Sequence, residues 1–111
     1  MIVYRVEDDD YNGPYNGKNK VTPIPSDNQP TPGNDIEGWY DLSFDNRHEY
    51  LFGFTDIIQL FNWFDDNTLN RLAIYRFHIG VYEVPEDNVM YGSAQVAFHT
   101  SKVKRIKEIM I

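Results

Sequence analysis

The sequence predicts an α+β domain, built as a small, mainly antiparallel sheet with one principal helix and a long Pro-rich loop. Three observations carry this prediction. Strand-like segments stand near both ends of the chain, a single stretch shows a clear helical period, and strands do not alternate regularly with helices as parallel βαβ units would require. A chain of 111 residues corresponds to one domain over 1–111, large enough for a real core. Aromatic residues make up 15%, so much of the burial is expected to be aromatic.

Residues 2–7, IVYRVE, place Ile2, Tyr4 and Val6 on one side of a strand and Val3, Arg5 and Glu7 on the other. Apolar groups on both faces predict a central strand. The turn signals Asn12-Gly13-Pro14 and Asn16-Gly17 follow. Residues 18–38 hold four of the six prolines and only three strongly apolar side chains, which predicts a long loop. Trp39, Tyr40, Leu42 and Phe44 then form a short irregular segment able to pack on the core.

Tyr50-Leu51-Phe52 is an apolar triplet ending at Gly53. Thr55 reads as an N-cap, with Asp56 in the first helical turn. Ile57, Leu60, Phe61 and Phe64 recur at i, i+3, i+4 and i+7, which predicts one buried helix face. Asp65-Asp66-Asn67 closes or kinks this helix, and a second short helix over 68–73 would bury Leu69 and Leu72. Strands are expected at 77–84, ended by Pro85, and at 94–100, with Ala94, Val96 and Phe98 inward. A turn at 86–92 joins them, and the last ten residues are a strand or short helix.

Composition excludes some functions. No cysteine is present, so disulfides and thiolate metal sites are ruled out. The segment MIVYRVEDDD lacks the pattern of a signal peptide, and no apolar run approaches the roughly 20 residues needed to cross a bilayer. A cytoplasmic protein without membrane contact is expected. Net charge is −7, and residues 1–101 carry 16 acids against six bases, while Lys102, Lys104, Arg105 and Lys107 face only Glu108. An acidic body disfavours direct nucleic-acid binding and suits docking on a basic, nucleic-acid-binding protein; solubility is the simpler explanation.

The candidate sites are few. Asp8-x-Asp10-x-Asn12-Gly13 begins like a calcium loop, but position twelve is Asn19 rather than a bidentate Glu, and an acidic turn is the simpler reading. His78 and His99, on strands predicted to be adjacent, supply at most two ligands, as against three or four for zinc, and His48 adds no short-spaced pair. No metal site is expected. Neither Ser43 nor Ser93 sits in a nucleophile elbow, and no phosphate-binding glycine motif occurs. Arg5 is a cation in an apolar strand and needs a partner; Glu7, two residues on, is the simplest, and an anion clamp is the functional alternative.

Taken in order, VYRVE, NGPYNG, LFGFTDIIQLFNWF and IGVYEVPEDNVMYGSAQVAF resemble a group of small bacteriophage proteins, over about two-thirds of the chain and omitting the Pro-rich loop. More distantly, the same order is similar to the compact ADP-ribosyltransferase fold. That likeness implies an Arg or His on the first strand holding NAD and a late-strand Glu orienting the nicotinamide ribose. Arg5 matches the first position, and Gln95 stands at the second. Gln can hydrogen-bond a ribose hydroxyl but carries no charge to stabilise an oxocarbenium ion, so the likeness implies a non-catalytic, nucleotide-binding relative before an active transferase. The enzymatic alternative is an NAD-dependent ADP-ribosyltransferase, with Arg5 holding the dinucleotide phosphate and Gln95 at the ribose. The leading expectation is a cofactor-free accessory protein that binds and inhibits a host or defence-system protein, as an anti-CRISPR does. Its docking surface would combine Glu7, Asp8, Asp9 and Asp10 with the loop acids Asp27 and Asp35. A virion accessory protein is the third possibility.

Overall fold

The computed structural model describes residues 1–15 and 29–111. The elements run β1 (Ile2–Glu7), α1 (Pro32–Asp35), a 3-10 turn (Trp39–Asp41), α2 (Phe44–Arg47), β2 (Tyr50–Gly53), α3 (Ile57–Trp63), α4 (Asp66–Ile74), β3 (His78–Glu83), a 3-10 turn (Glu86–Asn88), β4 (Val89–Tyr91), β5 (Val96–His99) and β6 (Lys104–Ile109). The class is α+β with antiparallel pairing throughout, divided between two three-stranded sheets: β1-β3-β6 and β2-β5-β4.

β3 is the centre of the first sheet, pairing Glu7↔His78 and Arg5↔Gly80 on one side and Ile79↔Ile109 on the other. β1 is therefore an outer strand of its sheet, not a central one. Its free edge is covered all the same, because Tyr4 and Phe54 exchange two backbone hydrogen bonds of 2.7 Å that join the sheets. This junction explains apolar groups on both faces of an outer strand. Val6 and Ile79 pack with Leu60, Phe64, Leu69 and Leu72 under α3 and α4. On the opposite face, Val3 and Tyr82 pack with Val84, Val96 and Phe98, between the sheets.

Local chemistry sets the helix starts one or two residues from where the sequence places them. Asp56, not Thr55, caps α3, its carboxylate accepting from the Ile58 amide at 2.7 Å. Leu60 and Phe64 are buried as expected, but Phe61 is half exposed, because α3 stops at Trp63 and Phe64 turns inward in extended geometry (φ −110, ψ 115). Asp65 separates the two helices by capping the start of α4; the Thr68 amide, bonded at 2.7 Å, holds its carboxyl below the usual range.

Two strands escaped the sequence reading. Tyr50–Gly53 and Val89–Tyr91 are the partners of β5, one on each side. Residues 94–100 narrow to Val96–His99, with Val96, Ala97 and Phe98 all buried because both faces are covered. The chain ends in a strand, β6. In the described part of the expected 18–38 loop, Pro32 at the first turn starts α1, and Ile36 is buried with Trp39 and Ala97. Tyr40 faces solvent, 5.3 Å below the Arg47 guanidinium. Residues 18–28, with Asn16-Gly17 before them, lie outside the described residues. No helix among the described residues is long and apolar enough to cross a membrane.

Candidate functional site

β1 puts Arg5 and Glu7 on the same face, two residues apart, and both are buried. Glu7 is fully buried and saturated. Its Oε1 accepts from the Tyr82 hydroxyl at 2.5 Å, and its Oε2 accepts from Arg105 Nε at 3.0 Å. Arg105 in turn reaches His78 Nε2 at 3.0 Å and Glu108 at 3.7 Å. Burial, followed by the Glu7 bond, pushes the Tyr82 hydroxyl well above the usual tyrosine range. Burial alone would lower Arg105, but the Glu7 hydrogen bond and charge outweigh it and raise the guanidinium further.

Glu7 is thus no docking acid. The sequence places it in the acidic surface, but its carboxylate has no exposure at all. It is the expected partner of Arg5, though at 3.5 Å from Arg5 Nε it makes an ion pair without a hydrogen bond. The other acids divide. Asp8 Oδ1 accepts from the amides of Asp10 and Asn12, both at 2.9 Å, so the calcium-like motif folds as an Asx-type turn around its own backbone. Asp9 and Asp10 are exposed on that turn; Asp9 lies 3.6 Å from the exposed Arg76 and 3.7 Å from His78 Nδ1. Asp35 is not offered to a partner either, because its carboxylate accepts from the amides of Ser93, Ala94 and Gln95 at 2.6–3.3 Å and fixes the turn before β5. Asp27 and Asn19 lie outside the described residues.

The histidines are also separated. His78 belongs to β3 and His99 to β5, in different sheets, and His99 Nε2 sits 2.7 Å from Glu49. Among the described residues no group of three or more His, Asp or Glu side chains is placed to hold a metal ion.

On the other side of Arg5 a cleft of about 470 Å³ opens. Arg5, Tyr15, Pro30, Phe52, Trp63 and Gln95 line it. Arg5 Nη1 donates to the Phe52 carbonyl at 2.9 Å, while Nε has no hydrogen-bond partner. Burial lowers the Arg5 pKa, and the charge of Glu7 offsets only part of this. Trp63 Nε1 donates to the Tyr15 hydroxyl at 2.9 Å, and the Phe54 and Trp63 rings lie 5.6 Å apart, so the aromatic wall is pre-ordered. Burial raises the Tyr15 hydroxyl above its usual range against the lowering effect of the Trp63 bond. Gln95 shares the cleft with Arg5, but its Nε2 is tied to the Pro30 carbonyl at 3.1 Å. The cleft combines apolar walls, a fixed amide and one incompletely satisfied guanidinium, which suits ligand binding.

Sequence reasoning singled out Arg5 and Gln95 but missed Arg105, Tyr82, Tyr15 and Trp63. Arg105 reads as part of a basic tail, and its bond to Glu7 spans 98 positions. Only correct pairing of β6 with β3 would have brought it to Glu7.

The family model described as Bacteriophage T4 Y00F protein matches residues 1–111 of the chain. A 19.7 kDa protein of the motB-dexA intergenic region of Enterobacteria phage T4 is 38% identical over 66 residues, which is 60% of this chain and 36% of that protein. The chain thus spans about a third of that relative's length. No solved structure matches.

Proposed function

The chain belongs to the bacteriophage T4 Y00F protein family, and from that premise we propose that it is a non-catalytic binding protein that docks on a basic host or defence-system protein and inhibits it. One observation carries the reading. The Asp8 carboxylate holds the 8–12 turn closed, which presents Asp9 and Asp10 to solvent from a base anchored by the buried Glu7 cluster. A fixed pair of acids on a body of net charge −7 complements a basic, nucleic-acid-binding surface and speeds encounter with it. The pair with Arg76 is solvent-screened and competes little. The test is co-purification from infected cells with the wild-type chain and with Asp9→Lys/Asp10→Lys. The wild type retains a basic protein that the double variant loses, and host defence is restored with it. Equal yields of the same partner from both would sink the docking surface.

A dinucleotide-binding relative of the ADP-ribosyltransferases is the second reading, favoured by the meeting of Arg5 and Gln95 in one cleft. The bond from Gln95 to Pro30 weighs against it. Calorimetry with NAD decides: heat of binding supports this reading, and no heat at millimolar NAD removes it.

A further inference from the structure

We propose that the cleft beside β1 is a binding site for a small organic monoanion with a flat apolar body, its acid group taken by Nη2 of Arg5. Arg5 is only 8% exposed, its Nη1 is used on Phe52, and its Nε is buried without an acceptor, 3.5 Å from Glu7. A buried guanidinium with donors unspent is costly, and a carboxylate or sulfonate takes a charge-assisted bond from one of them.

A Cβ on Gly13, itself a lining residue, would stand 3.1 Å from Arg5 Nη2 and 3.6 Å from Cζ and Nη1, so the absence of a side chain there leaves Nη2 room for an acid group. Glu7 approaches Arg5 at Nε, 3.5 Å from its Oε1, and Arg105 draws on the same carboxylate while also standing 3.7 Å from Glu108.

The rest of the cleft sets the body of the ligand. Phe52, Phe54, Trp63 and Tyr15 provide ring surfaces, and the Tyr15 and Phe64 rings stack at 6.3 Å. Arg5 is the one charged residue lining the cleft among the described residues. Among the described residues that cation matches one negative charge. This site is independent of the acidic docking turn. It shares the cleft with the dinucleotide reading without needing it, since NAD failing while a monoanion binds removes the dinucleotide alone.

The test compares two fluorescent probes on the full chain: anilinonaphthalene sulfonate, which has an aromatic body and one acid, and phenylnaphthylamine, the same rings without the acid. The sulfonate is expected to saturate at one per chain and bind about ten-fold tighter than the neutral probe, the difference a charge-assisted bond supplies. Arg5→Met removes that advantage and leaves the neutral probe unchanged. Thr31→Trp plugs the mouth of the cleft and weakens both probes. Thr31 is exposed and its side chain makes no capping bond, so this variant tests the site even if Arg5→Met does not fold. Equal affinity of the two probes for the wild type would overturn the proposal. So would an unchanged ratio in Arg5→Met, or unchanged binding in Thr31→Trp.

Discussion

Glu7 and Arg5 lie two residues apart on one strand face, and both carry charge into the interior, yet they are opposites. Glu7 accepts from a tyrosine hydroxyl and a guanidinium and has no exposure. Arg5 spends one nitrogen on a carbonyl, leaves another without an acceptor and opens onto a cleft. Burial alone therefore does not mark a functional charge; the tally of partners does. Glu7 is the scaffold that ties β1, β3 and β6 together, and Arg5 is the group with capacity to spare.

The largest expected effect follows from breaking the saturated side. Glu7→Ala leaves Tyr82 and Arg105 without their buried acceptor and removes the counter-charge of Arg5, and such a loss costs about 3–5 kcal/mol. Against a total stability of roughly 5–15 kcal/mol, urea unfolding will register it as a large fall in midpoint at unchanged slope. Arg5→Met deletes one charged hydrogen bond and should cost less, about 1–3 kcal/mol. The reverse ranking would invert the comparison.

Gly80 sharpens the same contrast. It faces Arg5 across the β1–β3 ladder, and a Cβ there would stand 2.6 Å from Glu7 Oε2 and 3.0 Å from the Tyr82 ring. Its backbone is ordinary strand, so Gly80→Ala tests space alone and should cost about 1–3 kcal/mol as overpacking. In the Glu7→Ala background that cost should shrink, since the carboxylate it displaces is gone. A fully additive double mutant would mean that Glu7 is not what Gly80 makes room for.

Alkali probes the cluster without truncating the carboxylate. Tyr82 titrates above its ordinary value of 10.0 in the folded chain, first through burial and then through the Glu7 bond. Above pH 10 the unfolded chain therefore holds fewer protons than the folded one, and stability falls as pH rises. The contribution is fully present below the unfolded pKa and is lost as pH climbs towards the folded one. Tyr15 is shifted the same way by burial and adds the same sign. Tyr82→Phe should flatten the alkaline decline and leave only the part due to Tyr15; a slope as steep as wild type would remove Tyr82 as its source.

Much of this contrast was legible in the strand IVYRVE, where a lone Arg and a Glu share a face and so invite pairing. Helices α3 and α4 were legible too, because Leu60, Leu69 and Leu72 lie on the faces that the 3.6-residue period buries. What stayed hidden depends on distant partners. β2 and β4 are only four and three residues long and are strands because β5 lies between them. The split into two sheets rests on the Tyr4–Phe54 exchange, which spans 50 positions. The cleft was half visible: Arg5 stood out as a cation in an apolar strand and Gln95 only through the resemblance, whereas Tyr15 and Trp63 looked like ordinary aromatic residues until their side chains met.

The smallest expected effect tests the unsaturated side. Gly13 adopts no positive φ, so Gly13→Ala carries no backbone strain of that kind, and its methyl would stand 3.1 Å from Arg5 Nη2. That is tight but short of a hard overlap, and the guanidinium, held at Nη1 by Phe52, has to give by a few tenths of an ångström. Stability should change by less than about 1 kcal/mol, since the residue lies in a turn away from the core clusters. The sulfonate probe, by contrast, should lose most of its advantage over the neutral one, because the methyl crowds Nη2, the nitrogen the acid group needs. A variant that binds both probes as the wild type does would mean that the edge beside Gly13 is not the one a ligand reaches. A variant as unstable as Glu7→Ala would mean that Arg5 is held as firmly by the fold as Glu7, and the distinction between the two charges would fall.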